Sequence, residues 1–517
     1  MPYTLRWIAT VMVWLFLGCA SSVPDTAPAS SSSSSSSLED VTPAPPPPTI
    51  PALQEWIPGS SAGYSFSSQG RIVVHVDDAW TLAETANVFA SDLADLTHVA
   101  ARVVPGTSAT VVAGDILLEL DPSDAQLGEE GYALQVGPSI RIRAHTATGA
   151  FYATRTLLQW LRQTHSLGAG TARDWARYPE RGLMVDVGRK YFSMAWLRTH
   201  IKELAYLKMN YFHLHLSETQ GFRVESATHP EAVSPEHYTK NEIRELIALG
   251  QTYHVLIVPE IDMPGHMGAI LASHPELQLK NALGVRNTDF IDLSLDGSYA
   301  LMKDLITEYS SLFPAPYWHL GADEYVSLYA LYPQLQAYAR SHYGPNATGR
   351  DTYYGFINWA NDIVRAAGKT TRIWNDGIDS PGSDTIRPNA NIVVEYWFNK
   401  GLTPQQLLDA GHTILNGSYT PTYYVLGIRH PDDAYTYESW APPRFQGGNV
   451  VAADEPRQRG AKAHVWCDVA TAETEQQIEE GIVPLLRSMA QQTWGSPKIV
   501  TSYRDFKAII DATGRAP

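Results

Sequence analysis

The sequence predicts an α/β protein with a (β/α)8 barrel at residues 176–517, preceded by a small α+β domain at residues 53–175. The first observation is a series of eight short apolar runs from Arg181 onward, separated by segments long enough for a crossover helix. The second is that a polar, ionisable or aromatic residue follows each run. Barrels of this class carry their sites at the carboxyl ends of the strands, so both observations favour the same fold.

The first 20 residues are typical of an export signal. Arg6 precedes an apolar run, 7–17, which is too short to span a bilayer and ends in Phe-Leu-Gly-Cys. That ending resembles a bacterial lipobox and predicts a lipidated Cys19, hence a cell-envelope lipoprotein whose membrane contact is that anchor. Ordinary cleavage after Ala20, giving a secreted protein, is the alternative. Both routes predict an extracytoplasmic bacterial protein.

Residues 21–52 predict a linker, because they show no apolar periodicity. A run of serines at 30–37 precedes a run of prolines at 45–48. Together they predict a flexible segment joined to a stiff polyproline spacer. Such a tether suits a domain held away from a membrane or wall.

Residues 53–175 combine strand-like runs with segments of helical apolar spacing, which predicts the small α+β domain. The predicted strands are 71–76, 115–120, 132–136 and 140–144, and the predicted helices are 83–96 and 148–161. Nothing in this unit converges chemically, so we interpret it as a supporting domain.

The eight later runs are assigned to the barrel strands in chain order. They are 182–187, 211–216, 255–258, 317–320, 371–374, 392–396, 413–416 and 461–466. The residues that follow them are expected to meet at one mouth of the barrel. These are Arg189, Glu218, Asp262 with His266, Asp323-Glu324, Trp374, Trp397, Tyr423-Tyr424 and Trp466-Cys467-Asp468.

The adjacent carboxylates Asp323 and Glu324 are the most informative pair. They follow a short buried-type run, and two neighbouring carboxylates there repel each other and are costly to bury unless a site uses them. Neighbouring side chains of an extended chain point in different directions, so the pair is expected to reach different parts of one substrate. A solvated acidic turn is the plainer alternative.

The predicted mouth suits a sugar. Aromatic faces pack on the apolar side of a pyranose, and charged groups bind its hydroxyls. The chain has 38 basic and 54 acidic side chains, a formal charge of -16. That balance argues against binding to a nucleic-acid backbone, which needs clustered lysine and arginine.

Several motifs resemble the β-N-acetylhexosaminidases of glycoside hydrolase family 20, over nearly all of the chain after the linker. The strongest is His319-Leu320-Gly321-Ala322-Asp323-Glu324, where the family usually has Gly-Gly-Asp-Glu. The others are residues 141–161 (RIRAHTATGAFYATRTLLQWL), 181–189 (RGLMVDVGR), 213–216 (HLHL) and 259–266 (PEIDMPGH).

The resemblance implies substrate-assisted hydrolysis of N-acetylhexosamine-containing glycans, without a cofactor. Glu324 would be the general acid and then the base, and the substrate's 2-acetamido oxygen would be the nucleophile. Asp323 would hold the acetamido N–H, and Tyr424 its oxygen, with Tyr423 as the alternative. An adjacent Asp323 carboxylate is expected to raise the pKa of Glu324, as an acid role needs. His266, paired with an acidic residue, would tune Glu324.

The resemblance also assigns the walls of the pocket. Arg189 would bind the outer hydroxyls of the sugar. The indole rings would surround the acetamido methyl and the sugar ring; they belong to Trp374, Trp397 and Trp466.

Three positions depart from the usual family pattern. Glu218-Thr219 stands where the family has Asp-Asp, Asp468 where it has Glu, and Tyr424-Val425-Leu426 where it has Tyr-Leu-Asp. The last two remove or shorten carboxylates near the 4- and 6-hydroxyls, which resembles lacto-N-biosidases that release a disaccharide. Because Arg189 is kept and would obstruct a 3-linked galactose, we expect exo-release of terminal GlcNAc, with GalNAc as a second possible substrate.

Two further classes remain open from the residues alone. His213 and His215 lie on one face of a strand and, with Asp262 and His266, would make a metal site in a barrel hydrolase. The plainer alternative is that these histidines are hydrogen-bonded packing residues. A tethered sugar-binding protein without catalysis is the other class, against which the intact Asp323-Glu324 pair speaks.

Overall fold

The computed structural model describes residues 45–379, 382 and 384–517. The predicted signal, Cys19 and the serine-rich part of the predicted linker lie outside the described residues. No helix in the described part is long and apolar enough to cross a membrane.

The proline run at the end of the predicted linker packs onto the first domain. The Pro47 carbonyl accepts a hydrogen bond from Trp160 Nε1 (2.9 Å), and the Pro48 carbonyl accepts one from Gln163 Nε2 (2.8 Å). Ile50 is completely buried. The packed chain therefore begins before residue 52, because the polyproline backbone offers free carbonyls to a neighbouring helix.

The first domain is a seven-stranded mixed sheet with two helices, in the strand order β1-β9-β6-β7-β5-β3-β4. Its strands are β1 Glu55–Pro58, β2 Tyr64–Ser65, β3 Arg71–His75, β4 Arg102–Gly106, β5 Ile116–Leu120, β6 Tyr132–Val136, β7 Ile140–Ala144, β8 Ser166–Leu167 and β9 Gly170–Asp174, with β2 and β8 forming a separate pair. The helices are α1 Ala79–Thr97 and α2 Ala147–Gln163. All predicted strands and both helices of this domain are present.

The barrel is closed by eight parallel strands, as the sequence predicts. They are β10 Glu180–Asp186, β11 Tyr211–His215, β12 Leu256–Glu260, β15 Tyr317–His319, β16 Thr370–Trp374, β17 Val393–Tyr396, β18 Thr413–Asn416 and β20 Gln458–Trp466. Pairing of β20 with β10 closes the ring. A short ninth strand, β19 Tyr423–Val425, runs beside the carboxyl end of β20. It brings Tyr423 to the mouth.

Helices and one hairpin fill the crossovers. The hairpin is β13 Gln278–Lys280 with β14 Arg286–Ile291. The helices are α3 Met194–Tyr206, α4 Lys240–Thr252, α5 Gly268–Leu271, α6 Asp296–Leu312, α7 Pro333–Tyr343, α8 Gly349–Ala366, α9 Pro404–Asp409, α10 Tyr419–Thr422, α11 Asp433–Glu438, α12 Glu475–Trp494 and α13 Tyr503–Thr513.

A buried ion pair joins the first domain to the barrel. Lys208 Nζ lies 2.7 Å from Asp174 Oδ2 and 2.6 Å from the Tyr132 hydroxyl, and all three residues are fully buried. Removing one member of such a pair typically costs about 3–5 kcal/mol, because the other charge is left buried without a partner. The pair therefore fixes how the supporting domain sits against the barrel.

Charged side chains, not only aliphatic ones, fill the barrel interior beneath the mouth. Arg372 lies 2.6 Å from Glu180 and 2.9 Å from Glu395, and Lys462 lies 2.7 Å from Glu395. These groups are buried, so each charge depends on its partners. The charges in the barrel interior beneath the pocket therefore compensate one another.

Candidate active site

A cavity of about 180 Å³ opens at the carboxyl ends of the barrel strands. Its lining residues are Arg189, His266, Asp323, Glu324, Trp374, Trp397, Tyr419, Tyr423, Val425, Ile428, Trp466 and Asp468. The structure therefore brings the predicted site residues together, apart from Glu218, which lies in an adjoining cleft, and Tyr424, which lies elsewhere.

A left-handed turn after β15 presents the two carboxylates. Gly321 and Ala322 have φ values of 71° and 69°, and a Cβ at Gly321 would lie 1.8 Å from Asp262 Oδ1. Only glycine fits there without displacing Asp262. The Ala322 N–H donates to the same oxygen at 3.1 Å, and the Glu324 N–H donates to Asp376 Oδ2 at 3.1 Å. The turn is thus held from both sides.

This turn separates the environments of the two acids. Asp323 is 8% exposed, whereas the Glu324 side chain is 56% exposed. Burial, with the negative charges of Asp376 and other carboxylates nearby, raises the pKa of Asp323 to about 7, although His266 opposes the shift. Asp323 Oδ1 is buried and makes no hydrogen bond within the described chain. It is therefore free to accept one from a ligand.

The expected rise in the pKa of Glu324 is wrong. The nearby His266 side chain lowers the pKa of Glu324, outweighing the rise from partial burial. His266 Nε2 lies 3.5 Å from Glu324 Oε2, and the exposed carboxylate keeps much of its hydration. The hydration of Glu324 and the nearby His266 cation therefore outweigh repulsion from Asp323. The acid whose pKa is raised is the buried Asp323.

Glu218 connects two residues of the pocket. Its Oε1 lies 2.6 Å from Arg189 Nη2, and its Oε2 lies 3.2 Å from His266 Nδ1. Burial alone would raise the pKa of Glu218, but the nearby His215, the hydrogen bond with His266 and the charge of Arg189 hold it well below the usual range. Burial likewise opposes the charge on His266, but Asp323, Glu218 and Glu324 raise its pKa well above the ordinary value. His266 is therefore a cation with Glu218 on one side and with Asp323 and Glu324 on the other.

Arg189 is fixed at the outer side of the pocket. Its Nη1 lies 2.9 Å from Asp186 Oδ2, and its guanidinium carbon lies 5.3 Å from the Trp466 ring centroid. Despite burial, Asp186, Glu218 and then Asp468 raise its pKa further. The side chain is therefore permanently charged and oriented before any ligand arrives.

Aromatic rings form the walls and floor. Trp374 Nε1 donates to Glu260 Oε1 at 2.8 Å, and Trp397 Nε1 donates to Asp376 Oδ1 at 3.1 Å. The Trp397 and Tyr423 rings are nearly parallel, with centroids 6.1 Å apart. The two bonds fix the indole planes of Trp374 and Trp397, so the pocket is a slot with flat apolar walls.

The assignment of Tyr424 to the pocket is wrong. Its hydroxyl donates to Glu473 Oε2 at 2.5 Å, and its ring stacks on His430. Tyr423 lines the cavity instead, because neighbouring side chains of β19 point to opposite faces. The same alternation places Val425 in the wall and buries Leu426 in the core, so the missing carboxylate corresponds to Val425.

Other residues of the site escaped the sequence analysis. Val425 had a usable signal, because it lies two positions after Tyr423 on one strand face. Asp376 follows Trp374 by two residues and could have been found at the end of β16. Tyr419 and Ile428 come from connecting segments and had no such signal.

The strand histidines are hydrogen-bonded inside the barrel. Glu260 Oε2 lies 3.0 Å from His213 Nε2 and 2.6 Å from His215 Nδ1. Lys462 Nζ lies 2.9 Å from His213 Nδ1, which places a buried ammonium beside that ring. This arrangement matches packing histidines better than the predicted metal set, since a cation next to a ligand disfavours a second cation.

Comparison with known proteins gives one family. The model of the glycosyl hydrolase family 20 catalytic domain matches residues 178–497, and that of the family's domain 2 matches residues 46–175. A lacto-N-biosidase of Bifidobacterium bifidum is 31% identical over an alignment of 520 positions that covers 99% of this chain and 45% of that protein. The chain thus spans less than half of that relative. β-Hexosaminidase subunit A1 of Dictyostelium discoideum is 28% identical over 67% of each chain.

Solved structures share the fold. A mutant β-hexosaminidase of Streptomyces plicatus in complex with its product GlcNAc superimposes with a TM-score of 0.72 at 26% identity, covering 91% of this chain and 95% of that one. An exo-β-N-acetylglucosaminidase of Vibrio harveyi in complex with N-acetylglucosamine gives 0.74 at 23% identity, covering 91% and 77%. The second likeness bears on the fold alone.

Proposed function

Since this chain belongs to glycosyl hydrolase family 20, we propose that it is an exo-acting, retaining β-N-acetylhexosaminidase that releases terminal GlcNAc from oligosaccharides or glycoconjugates. The observation that carries the proposal is the division of Asp323 and Glu324 between a buried and an exposed environment at one aromatic slot. Adjacent acids placed in different environments are suited to different tasks in one reaction.

Asp323 orients the substrate's acetamido group in this proposal. Its buried Oδ1 accepts the acetamido N–H, and its negative charge stabilises the positive charge that develops as the acetamido oxygen attacks the anomeric carbon. Tyr423 donates its hydroxyl to the acetamido oxygen. Burial raises the pKa of Tyr423 far above assay pH, so the hydroxyl stays a donor.

Glu324 transfers protons at the glycosidic oxygen. Protonated His266, 3.5 Å away, supplies a proton-bearing partner to this carboxyl. A bound sugar displaces water from Glu324, and loss of hydration raises its pKa toward the acid role. After the aglycone leaves, the carboxylate accepts a proton from water, which opens the oxazolinium and restores the β configuration.

Arg189 recognises the outer hydroxyls. One terminal nitrogen of its guanidinium binds Asp186 and the other binds Glu218, which leaves further N–H groups for a ligand in the pocket that Arg189 lines. Trp374, Trp397 and Trp466 enclose the ring and the acetamido methyl. Asp468 adds a carboxylate at the same end.

Release of a disaccharide is the second candidate function. It is favoured by the lacto-N-biosidase relative and by the apolar Val425 and Ile428 in the pocket wall, which leave the shorter Asp468 carboxylate with fewer partners in defining the 4- and 6-hydroxyls. Arg189 argues against it, since a 3-linked galactose would need the space beside the guanidinium. We therefore place monosaccharide release first, with GalNAc accepted beside GlcNAc because few groups read the 4-hydroxyl.

One assay series tests these assignments. Matched aryl β-glycosides of GlcNAc, GalNAc and lacto-N-biose are offered to the purified protein, with and without a strong chelator. We expect GlcNAc release that the chelator leaves unchanged. Faster release of lacto-N-biose would favour the second candidate, loss of activity with chelator a metal-dependent hydrolase, and binding without turnover a non-catalytic sugar-binding protein.

We also propose an extracytoplasmic location, from the apolar run at 7–17 and the Phe-Leu-Gly-Cys ending. Lipidation at Cys19 would anchor the protein to the cell envelope. Labelled fatty acid should enter the wild-type protein in a bacterial host and not Cys19→Ser. A secreted, unlabelled wild-type protein would favour cleavage after Ala20.

A further inference from the structure

Two copies of the same tripeptide face each other outside the pocket. His229-Pro230-Glu231 follows β11, and His274-Pro275-Glu276 follows β12. Each histidine precedes a short 3₁₀ turn and has nearly the same backbone conformation, with φ and ψ of -134° and 61° for His229 and of -127° and 55° for His274. Ser273 Oγ donates to the Glu231 carbonyl at 2.7 Å, which already holds the two turns together.

Three donor atoms converge between these turns. Glu231 Oε1 lies 3.1 Å from His229 Nδ1 and 3.0 Å from His274 Nε2, and the two rings stand nearly perpendicular with centroids 5.6 Å apart. In a tetrahedral zinc site with bonds of about 2.0–2.1 Å, neighbouring donors lie about 3.3 Å apart. Both nitrogen–oxygen distances are therefore within a few tenths of an ångström of this spacing, and all three donor atoms lie within 4.8 Å of one another.

Each histidine also has a carboxylate on its other nitrogen. His229 Nε2 is buried and lies 3.5 Å from Asp304 Oδ2, and His274 Nδ1 lies 3.7 Å from Glu276 Oε1. Carboxylates behind metal-bound histidines fix the ring and its tautomer, and are a recurring feature of zinc sites. The second carboxylate behind each ring distinguishes this cluster from two histidines that only share a surface carboxylate.

We propose that His229, Glu231 and His274 bind a Zn²⁺ ion, with water completing a four-coordinate site. The histidine rings are mostly shielded and Glu231 is about half exposed, so the ion is reached from solvent. The ion joins the loop that follows Glu218 to the loop that follows His266, and so stabilises the segments that carry both residues. The site shares no residue with the pocket, and its existence does not depend on the proposed hydrolase activity.

The test uses the whole chain, free of any affinity tag and treated with EDTA, then titrated with ZnCl₂ by calorimetry. We expect one ion per chain and a Tm rise of roughly 3 °C at about 100 times the Kd. His274→Ala and His229→Ala should each abolish the stoichiometric binding. Glu231→Gln, which keeps the shape of a half-exposed side chain, should weaken it at least about tenfold by removing the anionic ligand.

His342→Ala is the matched control, because His342 is an exposed histidine on α7 outside the cluster. It should bind Zn²⁺ as the wild type does. Absence of stoichiometric binding to the wild-type chain overturns the proposal. Wild-type affinity in Glu231→Gln and in both histidine variants also overturns it, since the ion would then lie elsewhere.

Discussion

Replacement of Tyr423 by Phe is the sharpest test of the proposed site, because its neighbour Tyr424 offers a matched control. Tyr423→Phe removes one hydroxyl from the pocket wall and leaves the ring that lies parallel to Trp397. A hydrogen bond to a group that becomes charged is worth about 1.5–3 kcal/mol. At about 1.4 kcal/mol per tenfold change, kcat/KM should fall by roughly 10- to 150-fold.

Tyr424→Phe changes the same atoms one residue later. It removes a hydrogen bond to Glu473 that lies outside the cavity, so kcat/KM should stay near wild type while stability falls by about 1 kcal/mol. Steady-state kinetics on an aryl GlcNAc glycoside and thermal unfolding of both variants make the comparison. Equal activities of the two variants, or a larger loss in Tyr424→Phe, would refute the conclusion that Tyr423 and not Tyr424 points from β19 into the pocket.

Further outcomes follow from the same geometry. Glu324→Gln should lower turnover by about 10²–10⁴-fold, measured on a substrate with a poor leaving group, while GlcNAc binding by calorimetry is largely kept. The first product seen by NMR should be the β anomer, because two inversions occur through the oxazolinium. Arg189→Ala should lower kcat/KM on terminal GlcNAc substrates by roughly 10-fold or more, since charge-assisted hydrogen bonds of about 1.5–3 kcal/mol are lost. Finally, kcat/KM should fall as pH drops below about 7, because protonation of Asp323 ends its role as acceptor. Glu218→Gln should move that limb to higher pH, since His266 loses an anionic partner and then supports the Asp323 carboxylate less.

Each of these has an outcome that contradicts it. Near-normal turnover of Glu324→Gln would contradict its assignment as the general acid. Detection of the α anomer as the first product would contradict the retaining mechanism. Unchanged or faster cleavage by Arg189→Ala would show that Arg189 does not bind the outer hydroxyls of the sugar. An acid limb that does not move in Glu218→Gln would show that the limb does not belong to Asp323.

The barrel was predictable because its strands are buried on both sides and therefore appear as continuous apolar runs. The edge strands of the first domain were not, since the exposed β1 and the proline-containing β4 lack that pattern. The charged groups in the barrel interior were not predictable from the sequence either. Arg372 and Glu395 look like surface residues in a sequence, and only the fold shows that they neutralise each other.

The site was predictable where a distinctive residue stands at or just after the end of a central barrel strand. Trp374 is the last residue of β16, and Asp323 comes four residues after β15 in a paired-carboxylate motif. It was not predictable at β19, because this short strand lies beside β20 outside the ring of eight, and its adjacent tyrosines offer two equal choices. The prediction of a raised pKa for Glu324 failed for another reason. Adjacency in sequence suggested repulsion from Asp323, whereas the left-handed turn exposes Glu324 and brings it to His266.

The departure at Glu218 acquires a physical meaning in this structure. One carboxylate spans from Arg189 to His266, using a different oxygen for each, and its extra methylene relative to aspartate lengthens that reach. In the proposed mechanism Arg189 contacts the outer hydroxyls and His266 contacts the acid–base carboxyl. A sugar that draws the guanidinium toward its hydroxyls weakens the hold of Arg189 on Glu218, which leaves more negative charge for His266. Because that charge keeps His266 protonated beside Glu324, recognition at the outer end of the pocket and proton supply at the scissile bond share one buried group.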